Sequence, residues 1–141
     1  MSRRYNWNEA VEHLHGRCDR LSSFIEDFGP RKLPIRRDGN LFMALSRAIA
    51  YQQLSTKAAA TIHGRFTRLF PAERPTADFA VEMPVATLRS AGLSQAKTLS
   101  ILDLAEMSLA GELPSPQKMV HMSDDEIIDS LCRVRGIGPW T

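Results

Sequence analysis

The sequence predicts an all-α fold. Apolar residues recur at helical spacing along most of the chain. Helix-starting residues such as Ser55, Ser94 and Ser123 stand before these runs, and glycine or proline stands after several of them. No run of alternating β-branched residues competes, and no repeat or low-complexity segment interrupts the pattern.

Trp7, Val11, Leu14, Cys18, Leu21 and Ile25 form one apolar stripe, so a single N-terminal helix is expected, closed by Gly29-Pro30. Positions 31–40 make a polar, basic connection. Leu41, Leu45, Ala48, Ile49 and Gln52 mark a second helix face. The pattern breaks at Leu54-Ser55 and resumes with Ala58, Ile62, Phe66 and Leu69, which makes Ser55 the cap of a third helix. Pro71 and Pro75 bracket a loop, and Thr76 caps a short turn through Phe79. Pro84 opens another short helix, which Gly92 closes. Ser94 caps a helix carrying Leu102, Ala105 and Leu109, and positions 111–116 break the chain again. Ser123 followed three residues later by Glu126 is a capping box, and its helix is expected to bury Ile127, Leu131 and Val134. Gly136-Ile137-Gly138 follows. Pro139 then sits where a first helical residue belongs, its missing N–H costing nothing there.

A chain of 141 residues suits one domain, 1–141. Within it, 1–38 reads as the N-terminal helix and basic connection, and 39–141 as a helical core ending in the glycine hairpin. Hydrophobic content of 43% and charged content of 24% fit a globular protein. The formal charge of +2 permits nucleic-acid binding without arguing for it, so a positive face would have to be local. Cys18 and Cys132 form no CxxC pair and cannot by themselves make a zinc or iron–sulfur site; two buried free thiols in a reducing compartment are expected. Arg3 and Arg4 precede no apolar run, so no signal peptide is read, and no stretch has the ~20 apolar residues of a membrane span.

The Gly-Ile-Gly hairpin carries the most chemistry. Glycines let the backbone turn sharply and bring bare N–H groups to the surface, where the next helix also aims its free N–H groups and dipole. That is a seat for a phosphate. Ile137 can pack the hairpin onto the domain. An ordinary helix–helix corner with a glycine cap is the alternative on the tripeptide alone.

Several blocks in order decide between them. They are Trp7, His13-Leu14, Asp19 and Leu21 with Gly29-Pro30; Phe42-Met43-Ala44-Leu45-Ser46-Arg47-Ala48-Ile49-Ala50-Tyr51-Gln52-Gln53-Leu54-Ser55; Ala91-Gly92-Leu93-Ser94 with Lys97 and Ile101; and the hairpin block 131–141. Together they resemble the helix–hairpin–helix DNA glycosylase superfamily, in its alkylpurine branch, the DNA-3-methyladenine glycosylase II type. The resemblance implies the helix–hairpin–helix glycosylase fold, incomplete at the C-terminus. It implies base excision repair by a monofunctional enzyme that hydrolyses the N-glycosidic bond of alkylated purines. It implies damaged double-stranded DNA as the partner, no membrane, a monomer at full length, and a location in the cytoplasm (nucleoid) or a nucleus.

By this resemblance, Gly136 and Gly138, with Ile137 between them and Thr141 after them, face a phosphate beside the lesion. The carbonyls of Cys132, Val134 and Ile137 match positions that hold a monovalent cation, Na+ or K+; no other cofactor is implied. Members that also cut the DNA backbone carry a lysine amine nucleophile where this chain has Trp140. A lyase activity is therefore not expected, and Trp140 resembles the wall on which the alkylated base stacks. An indole face attracts a cationic base by ~0.5–2 kcal/mol. A core tryptophan is the alternative. Leu54, with Gln53 beside it, matches the wedge that fills the duplex where the base has left. Leu54 as a core residue, and Gln52 and Gln53 as caps of backbone groups, are the alternatives.

Other residues carry a plainer reading. His13, His15, His63 and His121 lack ligand spacing, and Arg31, Lys32, Arg36 and Arg37 read as a solvated basic loop. Asp124, Asp125 and Glu126 favour a helix N-terminus. In the resembled mechanism one buried aspartate stabilises the oxocarbenium-like sugar. It lies after the hairpin's second helix, so no catalytic residue is assigned here; Asp78, Asp103 and Asp129 do not match. The chain alone is then expected to be inactive and less stable than a longer form. A non-catalytic DNA-binding remnant is the alternative, and a helical interaction module a third.

Overall fold

The computed structural model describes residues 6–29 and 40–141. The chain divides into two compact units, Met1–Asp38 and Gly39–Thr141. The basic positions Arg31, Lys32, Arg36 and Arg37 lie outside the described residues.

In the first unit the expected single helix is two. α1 spans Trp7–His15 and α2 spans Asp19–Phe28, and they pack on each other. Asn6 caps α1, its side chain accepting from Asn8 N and Glu9 N at 3.2 and 3.3 Å. Gly16 closes α1, and Cys18 adopts an extended φ of −161°. The chain therefore turns where the apolar stripe continues without interruption. Ser22 Oγ donates to the carbonyls of His15 and Cys18, and His15 Nε2 meets Glu26 Oε1 at 2.9 Å, fastening the corner. A helical period cannot distinguish one long helix from two that keep the same register across a turn.

The second unit is all helical among its described residues. It contains α3 (Leu41–Tyr51), α4 (Thr56–Thr67), a 3₁₀ turn at Pro71–Glu73, α5 (Ala77–Glu82), α6 (Val85–Ser90), α7 (Gln95–Leu109), α8 (Pro116–Met119) and α9 (Asp124–Leu131). α3, α5 and α6 pack against α7, and α4 packs against α3. Ser55, Ser94 and Ser123 are caps, their hydroxyls accepting from the N–H groups of Ala58, Lys97 and Glu126. Thr76 occupies the N-cap position of α5 without a side-chain cap bond.

The core joins Phe42, Ile49, Phe66, Leu88, Ile101 and Leu104, each almost completely buried. Full burial of such a side chain is worth about 1.5–3 kcal/mol. The buried faces differ from the expected ones by small rotations. α7 buries Ile101, Leu104 and Ala105, whereas Leu109 lies on the surface. α4 buries Ala59 rather than Ala58. Ile127 and Leu131 of α9 are only half-buried, and Val134 fills the core from beyond the helix end. Neither cysteine is fully buried: Cys18 is exposed at the α1–α2 corner, and Cys132 is half-buried at the end of α9. The short α8, started by Pro116 and capped by Ser115, begins where the expected break at 111–116 ends.

Candidate functional site

The site begins at the end of α3. Gln52 ends the helix with a φ of −53° and ψ of 133°. Gln53 then has a φ of +55°, the left-handed region that a non-glycine residue enters at a cost of about 1–2 kcal/mol. The turn this makes presents Leu54 with 39% of its surface exposed, and Ser55 then starts α4. Leu54 is thus not a core residue.

Lys97 secures the same corner. It belongs to the first turn of α7, where the helix dipole disfavours a cation. Its Nζ donates to the carbonyls of Ala50 and Gln52 at 2.9 and 2.7 Å. These are the terminal carbonyls of α3, which have no helical partners and carry the negative end of that dipole. Burial lowers the Lys97 pKa from its ordinary value. Gln52, Gln53, Leu54, Ile62, Gly92, Ser94 and Lys97 line a shallow cleft of about 240 Å³.

The hairpin lies across the cleft wall formed by Gln52. α9 ends at Leu131, and the chain turns through 132–138. Val134 and Ile137 are 1% and 8% exposed, which pins the turn to the core. Asp103 Oδ2 accepts from Arg135 N at 2.7 Å. Gly136 has a φ of +74°, and a Cβ placed there would stand 2.5 Å from Ser100 Oγ. Glycine is therefore required at 136 on two counts. Gly138 has open space around it and no positive φ. Its N–H donates to Thr141 Oγ1 at 3.0 Å, and Thr141 N donates back to the Gly138 carbonyl at 2.9 Å. This closes one turn, 138–141, where the sequence led to expect the first residues of a helix. Trp140 is fully exposed and is no core residue.

Gln52 joins the two parts. Its Nε2 donates to the Gly136 carbonyl at 2.9 Å and to Thr141 Oγ1 at 3.1 Å. A carbonyl can only accept, so the amide nitrogen must face the hairpin. The α3–α4 corner and the hairpin thereby share one surface, which brings together Gln53, Leu54, Gly136, Gly138 and Thr141. The sequence resemblance points to Gln53 as a site residue, whereas Gln52 is expected only to mark the helix face and cap backbone groups. The signal available was that Gln52 falls on the apolar face of α3, where an uncommitted glutamine would be costly.

The carbonyls of Cys132, Val134 and Ile137 lie in the same turn. Neutral oxygens suit a monovalent alkali ion, and Val134 O keeps one lone pair after accepting from Ile137 N at 3.1 Å. Among the described residues no cluster of three His, Cys, Asp or Glu side chains is placed to hold a metal, and no helix is long and apolar enough to cross a membrane.

No family model matches the chain. The alkylbase DNA glycosidase-like protein mag2 of Schizosaccharomyces pombe is 30% identical over the whole chain, which spans 67% of that protein. The chain belongs to the 3-methyladenine branch of the helix–hairpin–helix DNA glycosylases. DNA-3-methyladenine glycosylase 1 of the same yeast is 30% identical over 94% of the chain and 59% of its own length. The structure of the S. pombe 3-methyladenine DNA glycosylase in complex with abasic DNA superposes with a TM-score of 0.85, covering 94% of this chain and 65% of that one. The chain thus spans between half and two thirds of the glycosylase relatives it matches.

Proposed function

We propose that these 141 residues form the lesion-recognising part of a monofunctional DNA glycosylase that excises alkylated purines such as 3-methyladenine. The observation that carries the proposal is the strained Gln53 turn. It holds an exposed Leu54 on the surface that Gln52 shares with the glycine hairpin. A glycosylase must take its base out of the stack, at a cost of a few kcal/mol. An apolar side chain on a stiff turn offsets that loss by filling the gap.

In this proposal Leu54 enters the duplex, with Gln53 beside it. The Gly136–Gly138 segment receives the phosphate flanking the lesion, which takes the Gly138 N–H in place of Thr141 Oγ1. The carbonyls of Cys132, Val134 and Ile137 would hold a Na+ or K+ ion, which supplies positive charge near that phosphate. Trp140 stacks on the extruded base; its indole face attracts the positive charge of an N-alkylated purine. The C1′–N bond then breaks, the electron pair leaves with the base, and the base departs neutral. Water adds to C1′ and loses a proton. Little acid catalysis is required, because the leaving group is already cationic. No amine occupies position 140, so the DNA backbone stays intact.

The described carboxylates near the hairpin have other tasks. Asp103 accepts from Arg135 N, and Glu112 Oε2 pairs with Arg133 Nη2 at 2.6 Å. None is assigned to the sugar cation. The protein acts as a monomer on DNA, in a nucleoid or a nucleus.

Two measurements on the 141-residue chain test the proposal. The chain is expected to bind a duplex with an abasic-site analogue in preference to intact duplex, and to release no 3-methyladenine. Equal affinity for the two duplexes removes the recognition role. Base release by the chain alone shows that one of its own carboxylates is catalytic.

A further inference from the structure

We infer that Gln52 is a positioning residue that couples the wedge turn to the hairpin, with Lys97 as its anchor. The inference rests on the DNA reading above and adds to it a residue that touches no DNA. Gln52 is fixed at both ends. Its carbonyl accepts from Lys97 Nζ at 2.7 Å, and its side-chain amide spans 84 positions of sequence to the Gly136 carbonyl. Both amide protons are used, the second on Thr141 Oγ1, so the side chain is held in one rotamer. Gln53, the next residue, carries the left-handed φ of +55° that exposes Leu54.

Such strain persists only where its surroundings over-determine the backbone. Here the surroundings are identifiable. Lys97 holds the main chain on both sides of Tyr51, at Ala50 and at Gln52. The Gln52 amide then sets the distance between this corner and the hairpin. A phosphate seated at 136–138 and a wedge at 54 must reach their places on the duplex together, and a misplacement of 1 Å can cost about 100-fold. The Gln52 link joins the two contacts into one rigid unit. Lys97 serves it from an unfavourable place, the positive end of α7, where two carbonyls of α3 compensate the ammonium.

The test uses Gln52→Met, which keeps the side-chain volume and removes both donors, and Leu54→Ala as the wedge-free control. The duplex carries a tetrahydrofuran abasic analogue opposite 2-aminopurine. At saturating protein, 2-aminopurine emission reports intrusion into the stack independently of affinity. Gln52→Met is expected to lower that saturated signal toward the Leu54→Ala level and to weaken binding about fivefold, the worth of one net hydrogen bond. A saturated signal equal to that of the unaltered protein overturns the inference, because a residue that only stabilises the fold would change affinity alone.

Amide exchange of the segment 133–141, without DNA, supplies the second measurement. Gln52→Met should accelerate it while α4 and the middle of α7 stay unchanged. Acceleration across the whole second unit would mean general unfolding, and Lys97→Met, which leaves Gln52 in place, then decides. Its saturated 2-aminopurine signal must also fall, or the inference is overturned. If the unaltered chain binds no DNA, the proposed function fails, and exchange alone settles the coupling: local acceleration supports it and equality overturns it.

Discussion

The two hairpin glycines are chemically identical and structurally unlike. Gly136 combines a φ of +74° with a neighbour 2.5 Å from any added Cβ. Gly136→Ala should therefore destabilise the chain by roughly 2–4 kcal/mol, combining left-handed strain with overpacking against Ser100. Urea unfolding measures it, and adding Ser100→Ala should recover part of the loss; full additivity of the two substitutions would refute the contact. Gly138 has open space and an ordinary φ. Gly138→Asp should leave stability within about 0.5 kcal/mol and weaken binding to abasic duplex by placing negative charge against a phosphate. Matching losses of stability at the two positions would show that the difference between them is not real. Leu54 is also separable. Its exposure means that Leu54→Ala should cost little stability and most of the preference for abasic over intact duplex, read by competition binding.

Helix ends set the geometry at the next scale. α9 delivers the chain to the hairpin, and its start is the Ser123–Glu126 capping box, with Glu126 Oε2 accepting from Ser123 N at 2.7 Å. Ser123→Ala should cost roughly 1 kcal/mol, measured by thermal unfolding. Hydrogen bonds from the Ser123 backbone and hydroxyl hold Glu126 below its usual carboxylate range. A lowered folded pKa contributes stability above the ordinary, unfolded value and loses it as pH falls through the folded one. Acidification through that window should weaken this cap, and Glu126→Gln, which can still complete the box, should flatten the dependence there. An unchanged profile in the glutamine variant would assign the acid response to other groups. At α3 the same physics acts in reverse, with the Lys97 ammonium closing the C-terminal carbonyls.

At the scale of the molecule, a formal charge of +2 gives no strong general attraction to DNA, so contacts must be local. If the hairpin neutralises one or two phosphates, log K against log salt should fall with a slope of about −1 to −2. A slope several-fold steeper would place much of the binding elsewhere on the chain. α7 organises the second unit: α3, α5 and α6 pack on it, Lys97 reaches from it to α3, and Asp103 reaches from it to the hairpin. The α3–α4 corner and the hairpin are thus both fastened to one helix.

What the sequence determined by itself was local. Ser55, Ser94 and Ser123 start helices wherever they stand, because a hydroxyl meets an N–H two or three residues on without help from the fold. Helical periodicity fixed the all-α class for a similar reason, and the ordered blocks around Gln53, Leu54 and 136–141 identified the family. Tertiary structure decided what depends on distant partners. The corner at Gly16–Cys18 is invisible to a period that runs through it, and the buried faces of α4, α7 and α9 rotate to suit their neighbours. The difference between Gly136 and Gly138 comes from Ser100, 36 positions away from the first of them in the chain. Gln52 acquires its role only when folding brings Gly136 within 2.9 Å of its amide, since a hydrogen bond across the fold leaves no spacing in the sequence to be read.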